Sequence, residues 1–118
     1  MKLRLDRRSQ RSDDRQLALR FQLEHARKRG GLDAIALADA DGLLVASAGE
    51  DVLCEELSAL APLVGRSSLA MGVGRSLATR PLCALGEPLF LVSQGGNLAR
   101  DAVLSESARG LVRILESA

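Results

Sequence analysis

Two cysteines, one histidine and a few neighbouring carboxylates are all that this chain of 118 residues brings to chemistry. Cys54 and Cys83 lie far apart in sequence. With only His25 to join them, they do not approach the four-ligand spacing of a zinc site. A serine nucleophile would need His25 as its base, and no nucleophile motif supports that pairing. Glu55 and Glu56 are adjacent on an expected helix and so point in different directions. Asp39 and Asp41 share a turn, but no further carboxylates follow at calcium-loop spacing. The triplets Gly65-Arg66-Ser67 and Gly74-Arg75-Ser76 look like the end of a phosphate-binding loop. That loop needs glycine where Leu60 and Leu69 stand, and lysine in place of arginine. Cys83 falls in an expected strand, where a buried, inert thiol is the expectation. No catalytic residue, cofactor or metal ligand is nominated, so the chain is not expected to be an enzyme.

Composition bounds the remaining functions. One domain is expected at this length. Apolar residues make up 47% but aromatics only 2%, so the core must be built from Leu, Val, Ile and Ala. Phe21 and Phe90 both sit in apolar patterns that read as core. They leave no stacking platform for bases, and no nucleic acid is expected as a partner. Two cysteines fit a reducing compartment, which places the chain in the cytoplasm. Neither a signal peptide nor a run of roughly 18 apolar residues is present.

Charge is distributed unevenly. Residues 1–30 carry ten Lys/Arg against four Asp/Glu, a balance of +6, whereas residues 31–118 carry six against eleven, or −5. Lys2, Arg4, Arg7, Arg8 and Arg11 define a basic, flexible arm over residues 1–12. It reads either as an electrostatic arm for an acidic partner or anionic surface, or as a solvated tail that docks on the protein's own acidic face. Membrane contact, if any, would pass through this arm.

The elements follow from periodicity. Asp13 with Gln16 has capping-box spacing and predicts a helix start, with Leu17 and Phe21 in its apolar stripe beside Leu19, Leu23 and Ala26. Gly30-Gly31 ends it after Arg27, Lys28 and Arg29, which suit the negative end of the helix dipole. Asp33-Ala34-Ile35-Ala36-Leu37-Ala38 and Leu43-Leu44-Val45-Ala46-Ser47-Ala48-Gly49 flank Asp39-Ala40-Asp41-Gly42 and predict a hairpin. Ile35 and Leu37 share one face; Ala34, Ala36 and Ala38 share the other, where a helix can lie close. Both faces read as covered. From Asp51 a helix is predicted to about residue 72, kinked at Pro62. Pro81 and Pro88 open the strands of a second hairpin, and a last helix spans residues 99–116.

The order helix, hairpin, long helix, second β region, helix resembles the roadblock/dynein-light-chain family. The segments GLDAIALADADGLLVASAGE and EPLFLVSQGGNLARDAVLSESARGLVRILES carry the likeness. The resemblance implies an α+β fold with an antiparallel sheet sandwiched between helices, ordered α-β-β-α-β-β(-β)-α over residues 13–118. It also implies a noncatalytic homodimeric adaptor or regulator of a small Ras-like GTPase, in the manner of bacterial members of the family. The alternative is a scaffold without a GTPase partner, anchored to a surface by the basic arm. For the dimer, the stripe Leu53, Leu57, Leu60 and Val64, with Cys54, Ala61, Gly65 and Ser68 beside it, is a self-complementary candidate on the second helix. The same leucines would serve equally to pack that helix on its own sheet.

Overall fold

The computed structural model describes residues 2–66 and 77–117, with side chains over 14–63 and 77–117. The elements run α1 (Lys2–Gly30), β1 (Leu32–Asp39), β2 (Leu44–Ala48), α2 (Asp51–Arg66), β3 (Leu77–Ala84), β4 (Glu87–Gly95) and α3 (Arg100–Glu116). The strands form an antiparallel sheet ordered β2-β1-β4-β3. Helices α1 and α3 lie on one face and α2 on the other, which is the expected sandwich. An additional strand after α2 is not found among the described residues. Residues 67–76, with Ser68 and the expected extension of α2, lie outside them.

The alternation in β1 decides the layering. Ile35 and Leu37 bury themselves with Leu89 and Leu91 of β4 beneath Leu19, Leu23 and Ala26 of α1 and Val103, Leu104 and Leu111 of α3. Ala34, Ala36 and Ala38 face the other way, with Phe90 and Val92, against Cys54, Leu57 and Ala61 of α2. Because strand side chains alternate, a one-residue slip would exchange these two sets. The first hairpin is pinned by Asp39, whose Oδ1 accepts hydrogen bonds from the backbone N–H of Asp41 at 2.9 Å and of Leu43 at 3.0 Å. Gly42 supplies the positive φ of 85° that the turn requires. The aspartate is thus engaged by its own backbone.

Four expectations are corrected. Helix α1 begins at Lys2, well before the Asp13 box. Its buried face is Leu19, Leu23, Ala26 and Gly30, while Leu17 is 49% and Phe21 67% exposed. Five apolar positions span more than one face of a helix, and the side two residues along is the one that meets the sheet. Pro81 stands inside β3, opposite Phe90, instead of opening the strand; a strand with only one described neighbour can lose an N–H at little cost. Cys83 is exposed, because β3 lies beyond the cover of α2.

Candidate protein interaction site

Helix α2 buries one side and exposes a mixed one, in which Val52, Ala59 and Leu63 stand among Asp51, Glu55 and Glu56. Cys54, Leu57 and Ala61 are completely buried against the Ala face of the sheet, and Ser58 is buried beside them, its hydroxyl donating to Glu55 O at 2.8 Å. A turn of 3.6 residues places Val52, Ala59 and Leu63 on the opposite side. Val52 is 63% and Leu63 60% exposed, and Ala59 is exposed as well. Leu53 and Leu60 occupy the flank between these two sides and are half-buried. Large apolar side chains left on the outer side of a helix beside charges mark a surface available for contact. Only one side of α2 has a layer against it among the described residues.

The sheet continues this surface. Thr79, Pro81 and Cys83 of β3 pair with Val92, Phe90 and Pro88 of β4 and so point to the α2 side. Leu77, at the start of β3, packs on the α2 cluster, whereas Pro81 and Cys83 are exposed. On the reverse face β3 is well covered: Ala78, Leu82 and Ala84 join the larger core. Arg80 ties that side to α3, donating to Ser105 Oγ at 3.3 Å and standing 3.7 Å from Asp101. Among the described residues, the α2 side of the sheet is therefore the incompletely covered one.

The expected interface residues divide accordingly. Leu53 and Leu60 remain partly available. Cys54, Leu57 and Ala61 are consumed by packing within the chain and present no surface to a partner. Val64 and Gly65 belong to α2, but their side chains, like Ser68, lie outside the described residues. Val52 and Leu63 lie outside that stripe and are exposed apolar residues of the helix. The signal that identifies them is the apolar composition of the helix as a whole. Lys2, Arg4, Arg7, Arg8 and Arg11 stand on the opening turns of α1, with side chains outside the described set.

The Cys54 thiol lies 3.5 Å from Ala48 O, to which it donates. Burial pushes its pKa up, and the nearby Asp51 charge acts in the same direction, against the hydrogen bond from Ser47. A protonated, enclosed thiol is a packing group and a poor nucleophile. His25 is exposed on α1. Among the described residues no group of three or more His, Cys, Asp or Glu converges as a metal site, and no helix is long and apolar enough to cross a membrane.

No protein-family model matches the chain, and no curated protein matches it either. Solved structures do. Myxococcus xanthus MglB superposes with a TM-score of 0.59 at 18% identity, over 85% of this chain and 96% of that one. The gliding protein MglB of Thermus thermophilus superposes with a TM-score of 0.65, also at 18% identity, over 88% of this chain and 93% of that one. The likeness spans nearly the whole of both chains, and the fold is roadblock-like.

Proposed function

We propose that this chain is a noncatalytic homodimeric adaptor that regulates a small Ras-like GTPase in the cytoplasm. The observation that carries the reading is the outward apolar side of α2, formed by Val52, Ala59 and Leu63 with Leu53 and Leu60 on its flank. In a two-fold dimer such a patch meets its own copy, so each apolar residue is covered by the same few residues of the other chain. The incompletely covered sheet beside it, at Pro81 and Cys83, enlarges the area available. Support for the GTPase comes from the roadblock-like fold and its likeness to the two MglB structures, because bacterial proteins of the resembled family act on such GTPases. Regulation of this kind needs only surfaces.

Two measurements test the two halves. Light scattering on the purified chain at tens of micromolar should give at least twice the chain mass, and Leu63→Glu should lower it. Steady-state GTP hydrolysis by the small GTPases of the same organism should change in the presence of the wild-type chain. A monomeric wild type removes the dimer. Unchanged turnover and nucleotide exchange across those GTPases remove the regulator and leave a scaffold.

A further inference from the structure

The outer surface of the α1–α3 layer carries charge that the fold does not use. The two helices run antiparallel. Arg15 donates to Ser117 O at 3.2 Å at one end, and Arg29 pairs with Glu106 at 2.7 Å at the other. Between these ties Gly110 lies against Gln22, where a Cβ would stand only 2.8 Å from the side-chain oxygen. The helices therefore approach closely and form one double ridge. With Leu19, Leu23 and Ala26 turned to the sheet, the helical repeat turns Phe21, His25 and Lys28 away from it. On α3, burial of Val103, Leu104, Ser107 and Leu111 likewise turns Arg109 and Arg113 outward. All five of these outward side chains are exposed. Arg20 flanks the ridge, in the groove between α1 and β2.

Pairing within the layer leaves an excess of one sign. Glu24 is neutralised by Arg27, Glu106 by Arg29, and Asp101 by Arg80 and Arg100. Arg15, Arg20, Lys28, Arg109 and Arg113 have no carboxylate partner among the described residues. The carboxylates left to oppose these cations are Asp14 and Glu116, and Glu116 is turned to the N–H of Leu85 at 3.2 Å. Arg109 and Arg113 stand one turn apart, where like charges repel and weaken the helix that bears them. The other side of the sandwich has the reverse sign. Glu50, Asp51, Glu55 and Glu56 lie there, with no Lys or Arg among the described side chains of α2. Phe21, two-thirds exposed, stands amid the cations. An acidic protein surface would answer the charges alone. Anionic lipid answers both features, with headgroups for the cations and the acyl boundary for the ring. We infer that the outer α1–α3 surface docks on an anionic lipid membrane. The acidic α2 side then points away from the lipid, with Val52 and Leu63 open to protein. This contact uses the folded body of the chain and stands independently of the α2 reading.

Sedimentation of the full chain with lipid vesicles tests this, using phosphatidylcholine alone and phosphatidylcholine mixed with phosphatidylserine. Wild type should pellet with the anionic vesicles only, and added salt should release it. A basic residue near such a surface is worth about fivefold in partitioning, so Arg109→Gln/Arg113→Gln should weaken binding roughly 25-fold. Circular dichroism should show that variant folded, since both positions are exposed and their mutual repulsion is removed. Glu50→Gln/Glu55→Gln, on the opposite side, should bind at least as tightly as wild type. The chain contains no tryptophan, so Phe21→Trp supplies a single reporter, and anionic vesicles should shift its emission to the blue. Three results each overturn the inference: a wild type that stays in solution with anionic vesicles, a double arginine variant that binds them as wild type does, or a pelleting Phe21→Trp protein with unshifted emission. If the wild type instead binds polyglutamate and ignores the vesicles, the occupant is an acidic protein and the inference fails.

Discussion

The two faces of the sheet share the same strands and differ in what covers them. On one, Ile35, Leu37, Leu89 and Leu91 meet two helices that also pack on each other. On the other, Ala34, Ala36 and Ala38 admit one helix at close range, and among the described residues Pro81 and Cys83 of β3 stay exposed. The first face is complete within the chain and supplies most of its large buried side chains. The second is thin and leaves apolar surface on the outside of its single helix. One face supplies most of the large buried side chains, and the other leaves Val52 and Leu63 of α2 exposed.

The largest test of that division is Leu37→Ala. Leu37 is fully buried beneath two helices. Truncation leaves a cavity that the rigid sandwich cannot close, and a loss of about 2–5 kcal/mol is expected in denaturant unfolding. A value near zero would mean that the two-helix face is not the main core. On the opposite face the informative change is in the other direction. Ala36→Leu forces bulk beneath α2, where Cys54, Leu57 and Ala61 already lie close, and should cost about 1–3 kcal/mol. The division is sharpened if this variant also alters self-association, since the displaced helix carries Val52 and Leu63.

Much of this contrast was legible in the sequence because a period of two is unambiguous where each face has its own residue size. Ile35 and Leu37 against Ala34, Ala36 and Ala38 gave the layers before any coordinates, and Asp39 with Gly42 gave the turn. Helices were less readable. In α1, Leu17 and Phe21 and the set Leu19, Leu23 and Ala26 all repeat at helical spacing, and only the position of the sheet decides which set is buried. In α2 the apolar stripe extends so far round the helix that the expected interface took in the residues packed beneath it. Cys83 shows a third limit: strand propensity is local, whereas its exposure depends on how far a helix from elsewhere reaches across the sheet. The groove between α1 and β2, lined by Leu17, Phe21 and Leu44 to Gly49, joins residues from separate elements, which no local pattern announces.

The two cysteines give the comparison its finest probe, because each sits on the α2 side and only one lies under the helix. Cys83 should react with iodoacetamide in the native protein, while Cys54 should react only after unfolding, as mass spectrometry of the labelled chain would show. Equal native labelling would mean that α2 lifts readily and that the thin face is open on both halves. The pH dependence of stability follows from the same burial. Desolvation first, and the Asp51 charge second, raise the Cys54 pKa in the folded chain, whereas in the unfolded chain the thiol titrates near its ordinary value of about 8.5. Below that value both states keep the proton and the packing contribution of the thiol is intact. Above it the unfolded chain releases the proton first, so unfolding becomes more favourable as pH rises toward the folded pKa. Chemical denaturation across pH 8 to 10 should therefore show stability falling with pH in the wild type, with a shallower fall in Cys54→Ala. An unchanged slope in Cys54→Ala would place the titrating group elsewhere and remove the thiol from the energetics of the thin face.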